Sequence, residues 1–210
     1  MGQNPMDVPI PGSMLRPEKD KYNLYKSIVQ IKIENKQNEV SYGSGFFIRF
    51  MKINKPFYCL MTNEHVIDKD MINNEEKFQL IYDNQSKSLN IELNKKERLI
   101  QNFKGLLNID ATIVEIIEKD NINKDYFLLP DLDYKDGYEK FIGKKIEIPQ
   151  FPGGRELNVA EGEIKRINLS NNKYQFVNLS TERSSSGSPI ILKGKKCVLG
   201  IHRAGNKVRE

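Results

Sequence analysis

The sequence of 210 residues has no tryptophan, only two histidines and two cysteines, and no long hydrophobic run. A membrane-spanning helix needs roughly 20 consecutive apolar residues, so we expect no membrane partner. Cys59 and Cys197 lie far apart in apolar stretches, which predicts two buried thiols rather than a disulfide framework. The histidines and cysteines also lack the close spacing of zinc ligands, so the sequence predicts no metal and no cofactor.

The charge of the chain is only mildly unbalanced. The formal net charge is +5 and the isoelectric point is near 9.0. Lysines and arginines are scattered among almost as many acidic residues, without the basic clusters that are typical of nucleic-acid-binding proteins. We therefore expect no nucleic-acid partner.

Residues 1–20 contain several prolines and lack the apolar core of a signal peptide, so we expect a flexible extension there. Glycosylation-type triplets begin at Asn84, Asn168 and Asn178. The last two fall in or beside predicted strands, where a sugar would be hard to place. Together with the thiols, this predicts an intracellular, cytoplasmic protein, with a secreted mature form as the alternative.

Short β-type segments dominate the rest of the chain. In IVQIKIE, Val29, Ile31 and Ile33 alternate with polar residues, which is the period of a half-buried strand. Further strands are predicted at 40–50, 56–62, 77–82, 89–95 and 111–117, and then at 144–150, 157–169 (a hairpin), 173–179, 188–193 and 195–202. A short helix is expected within HVIDKDMINN, and a polar, loop-like connection at 118–139. Many short strands in two groups favour β-sandwiches or barrels.

Three residues are candidates for chemistry, although each signal is weak by itself. His65 follows a predicted strand in LMTNEHVID, where a histidine is most often an ordinary packing or surface residue. Asp110 begins a strand in NIDATIVEI, as turn-forming acids often do. Ser186 lies in STERSSSGSPIIL, and such a stretch usually marks a linker. Here it is held between two predicted strands, which favours a tight turn that presents a side chain and backbone N–H groups.

Together these segments resemble the motifs of trypsin-like serine peptidases, most closely the branch of V8-like glutamyl endopeptidases. TNEHVID resembles the histidine motif, DATIVEI the aspartate motif, and SSGSPII followed by VLGIHRAG the serine motif and its next strand. GSGFFI (43–48) is similar to the family's lead-in to the first lobe, and IPQFPGG (148–154) to the opening of the second. The order His, Asp, Ser is that of the chymotrypsin arrangement.

The resemblance implies an all-β, chymotrypsin-like fold of two six-stranded antiparallel β-barrels, with the active site in the cleft between them. It also implies a serine endopeptidase that acts on polypeptide substrates. His65 would then be the general base, Asp110 would orient the imidazole, and Ser186 would be the nucleophile. The backbone N–H groups of Ser184 and Ser186 would form the oxyanion hole.

Ser184 departs from the family pattern, which usually has glycine at this position. Glycine adopts the required backbone conformation without steric cost, whereas serine does not. We therefore expect an oxyanion hole that forms only partly until substrate binds.

By the same resemblance, His202 in GIH and Thr181 in NLST would contact the P1 side chain of the substrate. Both can donate hydrogen bonds, which suits an acidic or amide side chain. Ser180 stands where a trypsin-like pocket has an acid, so cleavage after Arg or Lys is not expected. The prediction is Glu at P1, with Gln as the second choice.

Two alternatives stay open. The first is a catalytically weak or inactive module with the same fold that binds peptides or proteins. The second is a β-rich binding protein unrelated to peptidases, in which the motifs coincide by chance, although five motifs in the correct order argue against it. The end of the chain bears on the first alternative: the family's second barrel closes with a strand after GIH, yet only residues 206–210 remain for it. Either that strand is short or missing, or the chain is part of a larger multidomain protein. The expected domains are a first barrel at 21–120, a linker at 121–139 and a second barrel at 140–210.

Overall fold

A computed structural model describes residues 24–35, 37–104, 109–131, 137–168, 173–177, 180–195 and 197–203. Strands are by far the commonest regular elements among these residues, and the helix α1 (Lys69–Asn73) has only five residues. Asp68 caps α1, because its side chain accepts a hydrogen bond of 2.8 Å from the backbone N–H of Met71. The short helix predicted in HVIDKDMINN is thus confirmed. Within the described ranges, no helix has the length and apolar character needed to cross a membrane.

The first sheet is antiparallel, and its seven described strands lie in the order β5-β4-β1-β2-β3-β7-β6. These strands are β1 (Ile28–Glu34), β2 (Val40–Lys52), β3 (Lys55–Thr62), β4 (Lys77–Tyr82), β5 (Lys87–Glu92), β6 (Ile100–Asn102) and β7 (Thr112–Glu115). Because β3 and β7 are antiparallel neighbours, with Thr62 opposite Thr112, the residues that follow β3 lie beside those that precede β7.

The second sheet has six described strands in the order β11-β10-β9-β12-β13-β8. They are β8 (Leu129–Pro130), β9 (Lys145–Gln150), β10 (Asn158–Asn168), β11 (Lys173–Val177), β12 (Pro189–Leu192) and β13 (Cys197–Ile201). All neighbours are antiparallel except β8, which pairs in parallel with β13. Residues 180–188, called the serine loop below, directly precede β12.

Strand β2 packs on both of its faces, which explains why its sequence is apolar without alternation at 46–48. Phe47 lies in the core of the first sheet, whereas Phe46 and Ile48 lie in a cluster that joins the two sheets. Successive side chains of a strand point to opposite faces, so one strand serves both cores. The joining cluster also contains Phe151, Ile191 and Val198 from the second half of the chain. Full burial of one phenylalanine contributes about 1.5–3 kcal/mol.

The hairpin predicted at 157–169 is wrong, because β10 is one long strand. Gly162, the one glycine in this segment, pairs with Ile146 inside the ladder between β10 and β9 and so forms no turn. The first half of β10 pairs with β9 and the second half with β11, where the register shifts between Ile164 and Arg166. A glycine inside a strand often marks a bend of this kind rather than a turn.

The segment 118–139 is less loop-like than its polar composition indicated. Tyr126, Phe127 and Leu128 are buried, and β8 follows them directly. The carbonyl of Leu128 accepts a hydrogen bond from the N–H of Arg49, and the N–H of Leu128 donates to the carbonyl of Phe47. This segment is therefore hydrogen-bonded to β2. The proposed domain boundaries stay predictions. The extension at 1–20 and any closing strand at 206–210 lie outside the described residues.

Candidate active site

The pairing of β3 with β7 brings His65 and Asp110 together. His65 lies three residues after the end of β3, and Asp110 lies two residues before the start of β7. His65 Nδ1 is 2.8 Å from Asp110 Oδ2, and the backbone N–H of His65 donates to Asp110 Oδ1 at 3.1 Å. The side-chain amide of Asn63 also donates to the carbonyl of Asp110 at 2.7 Å. Three hydrogen bonds therefore fix Asp110 relative to the loop that carries His65.

The charge on Asp110 determines which ring nitrogen of His65 is available to accept a proton. Burial raises the pKa of Asp110, but the hydrogen bonds from His65 and the charges of His65 and Arg203 outweigh it and hold this pKa below its usual value. The carboxyl group is therefore ionised at neutral pH and can only accept hydrogen bonds. His65 accordingly carries its proton on Nδ1, so that Nε2 has a lone pair to accept a proton.

Arg203, which follows β13, also reaches this site. Its Nε lies 2.9 Å from Asp110 Oδ2, and its backbone carbonyl accepts a hydrogen bond of 2.6 Å from Ser186 Oγ. A chain of contacts thus links Ser186 to His65 through Arg203 and Asp110. The hydroxyl of Ser186 is turned toward Arg203 rather than hydrogen-bonded to His65.

The carbonyl groups of the serine loop are held in place one after another. The carbonyl of Arg183 accepts from the N–H of Gly153 at 2.7 Å, and that of Ser185 from the N–H of Ser188 at 3.2 Å. The carbonyl of Ser184 accepts from the hydroxyl of Ser44, and that of Ser186 from the Ser44 N–H. Within the described part of the chain, the N–H groups of Ser184 and Ser186 donate to no acceptor. These two amides are the ones that the sequence resemblance assigns to an oxyanion hole.

Ser184 adopts the conformation that was expected to require glycine. Its φ is 70°, in the left-handed region. A residue with a side chain loses about 1–2 kcal/mol in this conformation. A partly formed oxyanion hole is expected only if serine avoids this region. Ser184 does adopt it, so that reason does not apply to the structure.

Gly187 is required by its close neighbours. Its φ is 93°, and a Cβ atom there would lie 1.9 Å from the carbonyl oxygen of Ser44 and 2.4 Å from Thr62 Oγ1. The serine loop therefore packs directly against the backbone of β2, with no room for a side chain between them.

The residues predicted to bind P1 differ in their surroundings. His202 is buried, and burial lowers its pKa to about 4. Thr181 is half-buried, and Ser180 is exposed, with its carbonyl accepting from the side-chain amide of Gln150 at 3.2 Å. A cavity of about 960 Å³ is lined by Ser180 but not by His202 or Thr181. This cavity therefore holds only one of the three residues, and their joint role at P1 stays a prediction.

Sequence reasoning missed the side chains that hold the site in place, namely Ser44, Thr62 and Asn63. Ser44 lies in GSGFFI and the other two in MTNEHVID, and nothing in these motifs distinguishes the three from ordinary polar residues. Within the part of the chain that the structure describes, no cluster of three His, Cys, Asp or Glu side chains could hold a metal ion.

No family model and no curated protein matches the sequence. Solved structures do match. A serine endoprotease from Yersinia pestis superimposes with a TM-score of 0.60 at 15% identity, covering 91% of this chain and 59% of its own. The chain therefore spans about three fifths of the length of that protein. The fold is chymotrypsin-like.

Two further structures share this chymotrypsin-like fold. The active form of the Rv3671c protease from M. tuberculosis matches with a TM-score of 0.56 at 16% identity, covering 87% of this chain and 71% of its own. The protein Deg5 matches with a TM-score of 0.56 at 16% identity, covering 90% of this chain and 87% of its own. The predicted fold class is confirmed, with seven and six described strands in the two sheets.

Proposed function

We propose that this chain is a serine endopeptidase that cleaves polypeptides through an acyl-enzyme. The observation that carries the proposal is the contact of 2.8 Å between His65 Nδ1 and Asp110 Oδ2. It leaves Nε2 of His65 as the basic nitrogen, and Arg203 contacts both Asp110 and Ser186. A serine hydroxyl is a weak nucleophile unless such a base removes its proton.

In the proposed reaction, the hydroxyl of Ser186 leaves the carbonyl of Arg203 and turns to Nε2 of His65. His65 takes the proton as Ser186 Oγ attacks the scissile carbonyl, and then returns it to the leaving amine. Asp110 stabilises the imidazolium that forms in between. The N–H groups of Ser184 and Ser186 bind the oxyanion, and loss of one such donor typically costs about 2.7–4 kcal/mol. Water then attacks the acyl-enzyme while His65 takes its proton, and His65 returns that proton to Ser186 Oγ as the carboxylic acid product leaves.

For the P1 residue we propose Glu, with Gln as the second choice. The support is the chemistry of His202 and Thr181. With a pKa of about 4, His202 is neutral at pH 7 and offers one N–H donor, and Thr181 offers a hydroxyl. Ser180 provides no negative charge for a basic P1 side chain.

One observation favours a second candidate function, a peptide-binding module of low activity. The hydroxyl of Ser186 is bonded to the carbonyl of Arg203, and the Arg203 side chain contacts the oxygen of Asp110 that also contacts His65. A chain that keeps this arrangement when a peptide binds would hold the peptide without attacking it.

The test is incubation of the purified protein with a mixed peptide library, followed by mass spectrometry of the cleavage sites, beside a Ser186→Ala control. Cuts after Glu that vanish in the control support both the reaction and the P1 preference. Cuts after other residues keep the peptidase and reject the roles of His202 and Thr181. If neither protein cuts, the peptidase proposal fails, and peptide retention by both proteins would support the binding module.

A further inference from the structure

Ser44, near the middle of β2, makes hydrogen bonds with every polar atom that it has. Its N–H donates to the carbonyl of Ser186 at 2.9 Å, and its hydroxyl donates to the carbonyl of Ser184 at 2.7 Å. The same hydroxyl accepts from the N–H of Phe151 at 3.2 Å, and the Ser44 carbonyl accepts from Thr62 Oγ1 at 2.7 Å. Ser44 is completely buried, so these bonds have no competition from water.

The hydroxyl of Ser44 acts on the peptide plane between Ser184 and Ser185. The preceding plane, between Arg183 and Ser184, is held by the N–H of Gly153 on the carbonyl of Arg183. Two planes that meet at one residue fix its φ and ψ. Ser184 is therefore held at a φ of 70° from both sides.

The held planes also decide where the N–H of Ser184 points. In a trans peptide, the N–H and the preceding carbonyl point in opposite directions. Since the carbonyl of Arg183 points to Gly153, the N–H of Ser184 points away from Gly153, and it has no acceptor within the described residues. Serine would leave the left-handed region if it were free to do so, because its Cβ is strained there. Such a rotation would break the bond to Ser44 and leave a buried hydroxyl without its acceptor.

We propose that Ser44 is a positioning residue, whose hydroxyl keeps Ser184 in the left-handed conformation and so keeps its N–H available to the oxyanion. This inference rests on the proposed peptidase function for its catalytic consequence. It explains how the chain can have serine at a position where the peptidases that it resembles usually have glycine. Glycine adopts the left-handed conformation without steric cost. Serine is instead held there by a hydrogen bond from the first sheet.

The first test compares Ser44→Ala with the double variant Ser44→Ala/Ser184→Gly in steady-state kinetics on a peptide that the wild type cleaves. We expect Ser44→Ala to lower kcat about 10- to 100-fold with little change in KM, because the lost interaction acts on the transition state. Glycine at 184 adopts positive φ without steric cost, so the double variant should recover most of kcat. Ser27→Ala removes another buried serine hydroxyl, from a residue bonded to Leu24 and Phe47, and should leave kcat unchanged.

A kcat that is unchanged in Ser44→Ala, or a loss that Ser184→Gly does not recover, would overturn the proposal. A merely structural role of Ser44 in joining the sheets predicts the second result, since glycine at 184 restores no contact between them.

The second test does not need activity. In denaturant unfolding, Ser184→Gly relieves strain in the wild-type background but not in Ser44→Ala, where the loop is free to relax. The effect of Ser184→Gly on the unfolding equilibrium constant should therefore differ about five-fold between the wild-type and the Ser44→Ala backgrounds. Additive effects would reject the restraint. If the wild type cleaves no peptide, the peptidase proposal fails by that result alone, and this cycle still decides whether Ser44 restrains Ser184.

Discussion

Arg203 Nε lies 2.9 Å from Asp110 Oδ2. That oxygen also contacts His65 Nδ1, so one carboxylate oxygen serves both a permanent cation and the proposed general base. Arg203 stabilises the ionised form of Asp110, yet it also opposes a second positive charge on His65 during the reaction. Its side chain is mostly exposed, with 61% of its surface accessible, so both effects are screened by solvent.

Replacement of Arg203 by Ala should therefore raise the pKa of Asp110, because one of the groups that lower it is lost. A carboxyl-detected NMR titration would measure this directly. For a peptide with Gln at P1, kcat/KM should rise about two- to five-fold at low salt, and the gain should shrink as salt is added. Arg203→Lys keeps the charge and should change both quantities less. A lower pKa of Asp110 in Arg203→Ala would contradict this account of the contact.

Asp110→Asn should reduce kcat about 10⁴-fold, since the amide cannot hold His65 in the required tautomer or stabilise the imidazolium. Asp68→Asn is the matched control. It makes the same chemical change three residues after His65, at the N-cap of α1, where asparagine caps as well as aspartate. Equal losses in the two variants would show that the effect at Asp110 is not specific to its contact with His65.

The burial of His202 should make stability depend on pH in a defined window. Its pKa is near 4 in the folded chain and about 6.5 in an unfolded one. Between these values the unfolded state binds more protons, so stability rises with pH. The contribution of His202 to the free energy of unfolding is therefore fully present above about pH 6.5. Up to about 3 kcal/mol of this free energy is lost as the pH falls to about 4.

Denaturant unfolding from pH 4 to 7 should thus give a shallower pH dependence for His202→Gln than for the wild type. The Asp110 carboxyl acts in a separate window. Its pKa is lowered by folding, so its contribution is lost only as the pH falls through that lowered value. Identical slopes for wild type and His202→Gln between pH 4 and 6.5 would rule out a buried, neutral His202.

Gly187→Ala should destabilise the fold by about 3 kcal/mol or more and abolish cleavage. The new Cβ would lie 1.9 Å from the carbonyl oxygen of Ser44, in addition to the cost of a φ of 93°. Gly194→Ala is a control with a similar φ of 89°, but with no atom within 4 Å of the new Cβ. It should cost only about 1 kcal/mol, and thermal or denaturant unfolding of both variants would separate close packing from backbone strain. Equal costs would show that the approach of Ser44 to Gly187 is not tight.

The local patterns in the sequence were sufficient to predict most strands, the short helix after His65 and the all-β class. Alternation of polar and apolar residues indicates which face of a strand is buried, and this pattern is present in the sequence of the strand itself. The prediction failed at β10, because Gly162 is equally compatible with a turn and with a bend inside a paired strand. Which of these forms depends on how β10 pairs with β9 and β11, and the sequence of β10 alone does not contain that information.

The sequence by itself determined the order of the motifs around His65, Asp110 and Ser186, and the small residues that the serine loop requires. Only the tertiary structure decided which atoms these residues contact. The hydroxyl of Ser44 on the carbonyl of Ser184, and Arg203 on Asp110, are contacts between segments far apart in the chain. Hydrogen bonds depend on distances and angles between atoms within about 3 Å of each other, and these are set by how the two sheets pack. No periodicity or motif in a linear sequence contains that information.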